Sequence, residues 1–182
     1  MKLILVGQGR TPWDEELRLQ GRIDVPLSPR GRKAVSSLAR KLRSFRPKEV
    51  VCGTGQTPTE TSRILARELH CRVRTFEQLN ELDHGLWQGM LHSEIEERHP
   101  AVYRHWRRNP QSVSPPRGES IAGLLERVGE VLERLRRRRV DSLVMVLPGM
   151  VRLAAQALLT GVTLETLWSQ PPVRAEWTRV DI

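Results

Sequence analysis

A three-layer α/β fold, with a mostly parallel central sheet and helices on both faces, is predicted by three features of this 182-residue sequence. Short apolar runs end at glycine or at proline–glycine. Patterns of helical period lie between them. No internal repeat, linker or low-complexity segment breaks the alternation. Strands alternating with helices build parallel-rich sheets covered on both faces. The length fits one domain, 1–182, large enough to bury a core without disulfides or metal.

The elements follow in order. Residues 2–6, KLILV, are a short apolar run ending at glycine, the pattern of a buried parallel strand. Ser28-Pro29 opens a helix, with serine as N-cap and proline at the first helical position. Its apolar face is read as Ala34, Leu38, Leu42 and Phe45, and Pro47 ends it. Glu49–Cys52 is a second strand, followed by the loop GTGQTPT and a helix from about Glu60 to Leu69 carrying Ile64, Leu65 and Leu69. A third strand is expected over Cys71–Phe76.

The stretch 79–118 is irregular, with one short helix near His92–Arg98 and a proline-rich loop, NPQSVSPPRGES. So long a loop region in a compact domain points to a lid or binding insertion. Residues 120–138 form the clearest helix, whose stripe Ile121, Leu124, Leu125, Val128, Val131, Leu132 and Leu135 is core. Ser142–Leu147 is a buried strand ending at Pro148-Gly149. A helix over about Val151–Leu159 and a last strand near Arg174–Asp181 follow.

Sites in such sheets lie at the carboxyl ends of the strands. Gly7–Thr11, Gly53–Thr59 and Pro148–Met150 must therefore converge, with the segment around Glu81 as a fourth contributor.

Bulk properties narrow the partners. The net charge of +9 makes attraction to anions reasonable. The basic residues are spread along the chain, however, and the densest run, Arg136–Arg139, falls at an expected helix C-terminus, where cations suit the helix dipole. With no nucleic-acid motif present, specific nucleic-acid binding is the minor reading. No apolar run reaches membrane-span length, so a soluble cytoplasmic protein with no membrane partner is expected. Cys52 and Cys71 lack zinc-ligand spacing and read as buried free thiols; neither metal nor cofactor is expected.

The motifs resemble those of the histidine phosphatases, the phosphoglycerate-mutase-like superfamily. Its members open with L-V-R-H-G-E-T-x-W-N and L-Q-G-R-x-D-x-P-L-T/S. Here the frame reads Leu5-Val6-Gly7-Gln8-Gly9-Arg10-Thr11-Pro12-Trp13-Asp14, then Leu19-Gln20-Gly21-Arg22-Ile23-Asp24-Val25-Pro26-Leu27-Ser28. Glu81, Asp83, Gly85, Trp87 and Gly89 match L-x-E-x-D-x-G-x-W-x-G, and Pro115-Pro116-Arg117-Gly118-Glu119-Ser120 matches P-P-x-G-E-S. The resemblance covers nearly the whole chain and implies a phosphoglycerate-mutase-like fold.

It also implies a mechanism. In that family a histidine takes the phosphoryl group, two arginines and a second histidine neutralise its oxygens, and an acid protonates the leaving oxygen. Carried over by position, the nucleophile falls on Gln8, the two arginines on Gly7 and Thr57, and the second histidine on Pro148. Only the acid remains, as Glu81. An amide is not basic, so Gln8 cannot form a phosphohistidine, and losing one oxyanion donor alone costs on the order of a hundredfold.

The resemblance therefore implies a pseudophosphatase, without phosphatase or mutase activity, that binds a small polar or anionic ligand or a protein partner. Gln8, Arg10, Thr11, Gln20, Arg22, Glu81 and Arg117 are the ligand-binding candidates. Arg10, where the family has glutamate, would bring a new cation to the pocket; surface arginines are the competing reading for it, Arg22, Arg117 and Arg152. His84 is expected on the surface or in a lid. Two alternatives stand beside this reading: a repurposed enzyme using Glu81 as acid or base without a phosphohistidine and, more weakly, an Arg-rich anion-binding module.

Overall fold

The computed structural model of the chain describes residues 1–138, 140–169 and 177–181. Arg139 and residues 174–176 of the expected last strand lie outside them. Strands β1 (Lys2–Gly7), β2 (Glu49–Cys52), β3 (Arg72–Thr75), β4 (Ser142–Leu147) and β5 (Trp177–Asp181) form one sheet in the order β3-β2-β4-β1-β5. All pairings are parallel except that of β5 with β1. β4 is central and buried at every residue, as an uninterrupted SLVMVL run requires.

Alternation along the strands sends side chains to two separate cores. Leu3, Leu5, Val51, Leu143 and Met145 face α6 (Ile121–Arg136) and α7 (Gly149–Thr160). Ile4, Val6, Val50, Val144 and Val146 face α2 (Pro29–Leu42) and α3 (Gln56–Leu69). This is the expected three-layer α/β arrangement.

Local chemistry explains the helix ends. Ser28 caps α2 by accepting from Gly31 N–H at 3.0 Å, with Pro29 at the first position. The buried face of α2 runs through Val35, Leu38, Ala39 and Leu42, and Ala34 is exposed. The apolar stripe is thus rotated by one residue, because β-branched Val35 fills the space against Gly9. α3 begins at Gln56, four residues before the expected start. Gly55 offers no side-chain cap, but the Asp24 carboxylate accepts from Gln56 N–H at 2.7 Å. Pro58 falls within the first turn, where no N–H is needed.

The stretch 79–118 is more regular than its composition implies. Besides the short helix α4 (His92–Arg98) it holds α5 (Pro100–Arg108), whose proline sits at the first helical position and starts a helix rather than breaking one. Trp87, Ile95, Tyr103 and Trp106 make a third apolar cluster here. His84 is buried within it at 3% exposure, its ring edge-on to Trp106, so of the two expected positions, surface or lid, the surface one does not hold. Desolvation lowers its pKa to about 4. The one-turn α1 (Pro12–Glu15) and α8 (Leu164–Ser169) complete the elements. Cys52 is buried, and Cys71 is only partly so. No described helix is long and apolar enough to cross a membrane.

Candidate functional site

The carboxyl ends of β1, β2 and β4 meet around a cavity of about 180 Å³. Its lining includes Gln8, Gln20, Arg22, Asp24, Thr57, Glu81 and Pro148. Gln8 follows β1 and extends its ladder, donating its N–H to Leu147 O at 3.1 Å. Its Oε1 is buried and has no hydrogen-bond partner among the described residues. Gly9 then passes so close to α2 that a Cβ would stand 2.8 Å from both Leu27 Cδ2 and Val35 Cγ2. Its N–H donates to Thr61 Oγ1 at 2.9 Å, tying the loop to α3.

One wall is a closed set of polar contacts. Thr57 is fully buried in the first turn of α3. Its hydroxyl donates to Val25 O at 2.6 Å and accepts from Gln20 Nε2 at 2.9 Å. Gln20 Nε2 also donates to Ile23 O at 3.0 Å. A hydroxyl at this position brings no charge to the cavity; it pins the loop after Gln20 against α3.

Glu81 forms the opposite wall. It has no regular ladder around it, following a 3₁₀ turn at Glu77–Leu79. Its Oε1 accepts from Leu82 N–H at 2.7 Å, and its Oε2 from Met150 N–H at 3.2 Å. The second contact sits at the N-terminus of α7, where the helix dipole favours negative charge. Burial pushes the Glu81 carboxyl above its usual range. The N–H groups of Leu82, Met150 and Val151 and the charge of Arg127 pull the other way without cancelling it.

Pro148 is the N-cap residue of α7 and lines the cavity, its carbonyl accepting from Arg152 N–H at 2.8 Å. It has no N–H of its own to offer, and the bond from this helix to Glu81 comes from Met150. Gly7 does not line the cavity. A Cβ placed on it would stand 3.4 Å from Arg152 Nη1, so the Arg152 guanidinium borders the volume a side chain there would enter. Arg152 also lies 3.4 Å from Thr178 Oγ1.

Three expected ligand-binding residues lie elsewhere. Arg10 and Arg117 are exposed and do not line the cavity. The new cation of the first loop therefore faces solvent, because the Arg10 backbone turns to accept from Ser28 N–H and pack on Gly31. Thr11 is fully buried and forms a capping box with Asp14, its hydroxyl consumed by the start of α1. Arg22 does reach the rim, donating through Nε to Glu81 O at 3.0 Å and through Nη2 to Glu119 Oε2 at 3.1 Å.

Sequence reasoning missed Asp24, Asn80 and Arg127. Asp24 caps α3 and lines the cavity. Asn80 Oδ1 accepts from Thr54 N–H at 2.7 Å and from Gly55 N–H at 3.2 Å, fixing the loop after β2. Asp24 and Asn80 stand inside motifs already singled out and were findable there. Arg127 carries no such signal, since an arginine within an amphipathic helix reads as solvated surface.

Comparison with known proteins bears on all of this. The sequence model of the histidine phosphatase superfamily (branch 1) matches residues 3–182. Phosphoserine phosphatase 1 of Hydrogenobacter thermophilus is 33% identical over 170 residues, covering 93% of this chain and 81% of that protein. Among solved structures, YhfR of Bacillus stearothermophilus superposes with a TM-score of 0.91 at 27% identity, covering 100% of this chain and 91% of that one. A mycobacterial glucosyl-3-phosphoglycerate phosphatase shares the fold, with a TM-score of 0.88 at 23% identity, covering 98% and 90%.

These relatives overturn the expectation of a pseudophosphatase acting by binding alone. Phosphoserine phosphatase 1, which aligns with 93% of this chain, carries an enzyme's name and not that of a binding protein. The same relationship displaces the readings of a site repurposed to a reaction other than phosphate-ester hydrolysis and of an Arg-rich anion-binding module. By the match over residues 3–182 and by 33% identity to a relative along most of both chains, this chain belongs to the histidine phosphatase superfamily, branch 1.

Proposed function

We propose that this chain hydrolyses phosphomonoesters of small polar molecules, with Glu81 as the general acid and water as the nucleophile beside Gln8. The observation that carries this is Glu81 itself. Its carboxyl borders the cavity, is aimed by Leu82 and Met150, and is biased by burial toward the protonated form an acid needs. The names of the relatives, phosphoserine phosphatase and glucosyl-3-phosphoglycerate phosphatase, support the substrate class.

Gln8 shapes the chemistry. An amide nitrogen has no available lone pair, so no phosphorylated side chain forms at this position. In the step that remains, a water oxygen attacks phosphorus while the ester P–O bond breaks. Glu81 gives its proton to the leaving oxygen, the attacking water loses a proton to a phosphoryl oxygen, and solvent reprotonates Glu81. Gln8 lines the cavity and sets a neutral amide at the wall beside which the water attacks. Arg22 at the rim and the N-terminus of α7 favour the anionic group.

Phosphate release from O-phosphoserine and a panel of sugar phosphates tests the reading. Wild type is expected to release phosphate, and Glu81→Gln to lose about 10²–10⁴-fold in kcat. No release by wild type from any ester, or full activity in Glu81→Gln, overturns it. A covalent phosphoenzyme trapped by rapid acid or base quench would exclude direct attack by water.

A further inference from the structure

The segment that carries Glu81 has no ladder of its own to hold it. Leu79 and Leu82 are fully buried and set its depth, but apolar contacts do not fix the direction of a backbone. One guanidinium makes most of the side-chain hydrogen bonds to the segment's carbonyls. Arg127 lies on α6 between the core residues Leu124 and Val128, with its side chain only 15% exposed. Its Nε donates to Glu119 Oε1 at 2.6 Å, and its Nη2 to Glu119 Oε2 at 2.8 Å, a bidentate pair. Nη1 donates to Gln78 O at 2.5 Å and to Asn80 O at 2.7 Å, and Nη2 also donates to Glu81 O at 3.2 Å. All five N–H donors of the fork are matched by five acceptors.

Glu119 passes the restraint on. Its Oε2 also accepts from Asp83 N–H at 3.3 Å and from Arg22 Nη2 at 3.1 Å. Arg22 in turn donates to Glu81 O at 3.0 Å. The carbonyl of Glu81 is therefore held by two arginines from two different parts of the chain, and the residues on both sides of it are bonded into the same cluster. Arg127 does not line the cavity.

We infer that Arg127, braced by Glu119, is a positioning residue for Glu81: it clamps the carbonyls of 78, 80 and 81 so that the acid's carboxyl meets Leu82, Met150 and the cavity. The inference rests on the reading of Glu81 as general acid. Three directional bonds to one short segment, with two more to Glu119, exceed what a generic surface ion pair needs, and lysine could not make them from a point charge. The positive charge also opposes the upward push of burial on Glu81, so its loss raises the pH at which Glu81 gives up its proton.

Arg127→Met and Arg127→Lys separate these roles when read three ways: a ¹³C NMR titration of the Glu81 carboxyl, kcat and KM for phosphate release, and Tm. Arg127→Met is expected to raise the Glu81 titration midpoint by about one pH unit. It should lower kcat by about tenfold to a hundredfold, since small misplacement of a reacting group is costly, while KM stays within about twofold. Arg127→Lys restores the midpoint, because the charge returns, but not kcat, because the fork does not. If Arg127→Met lowers only Tm, leaving the titration and kcat unchanged, Arg127 is purely structural and the inference fails. Should that variant not fold, Glu119→Gln keeps the arginine and weakens the brace. A lowered kcat with little change in KM supports the inference, and wild-type kcat and titration overturn it. The NMR titration and Tm need no turnover, so a wild type that hydrolyses nothing sinks the proposed function while the positioning of Glu81 is still decided.

Discussion

Glu81 Oε2 accepts a 3.2 Å hydrogen bond from Met150 N–H, linking the segment after β3 to the first turn of α7 across the mouth of the cavity. Burial raises the pKa of this carboxyl above the ordinary 4.5. A general acid works only while protonated, so kcat should fall as pH rises through the raised value. Measured from pH 4 to pH 9, the descending limb should lie above pH 4.5 and vanish from the residual rate of Glu81→Gln. A flat profile in wild type would remove Glu81 from the proton transfer.

Gln8 should show a conflict between stability and activity. Its Oε1 is buried without a partner, and a buried unsatisfied group costs about 1–3 kcal/mol. Gln8→Met keeps the shape and removes the orphan atom. Tm is expected to rise while kcat drops by about tenfold or more, because the cavity loses the polar amide at the wall beside the water. Equal activity in the two proteins would show that Gln8 takes no part.

Thr57 tests whether the wall of the cavity is structural. Thr57→Val preserves volume but strands Val25 O and removes the acceptor of Gln20 Nε2. A loss of about 1–3 kcal/mol is expected, read as a lower urea midpoint with unchanged slope. Thr57→Ser should recover most of it.

His84 predicts acid sensitivity. Its folded pKa is about 4 against 6.5 for the free side chain. Between these values the unfolded chain binds a proton that the folded chain does not, so stability falls as pH drops from about 6.5 toward 4. The full loss is about 3 kcal/mol. His84→Phe should flatten this part of the curve in denaturant titrations, and an unchanged pH dependence would place the effect elsewhere.

The strands, the cap of α2 and the stripe of α6 were legible because each is written in neighbouring residues. So was the placement of Gln8, Thr57, Glu81 and Pro148 at the strand ends, since a parallel sheet leaves its loops there. Other features misled for equally physical reasons. The stretch after Arg98 looks irregular until proline is seen to take the first position of α5. Arg10 looks like a pocket cation, yet its backbone is committed to Ser28 and its side chain turns outward. His84 looks like a surface residue because nothing local announces the aromatic cluster assembled by Trp87, Tyr103 and Trp106.

By itself the sequence determined the alternation of strand and helix, the two-sided core and the family frame, all consequences of period and short-range chemistry. Only the tertiary structure decided that Asp24 caps α3, that Arg127 clamps the carbonyls of 78, 80 and 81, and that Met150 holds the acid's second oxygen. Those contacts join residues 32 to 69 positions apart. Hydrogen bonds and burial act over a few ångströms of space, and distance along the chain does not limit them.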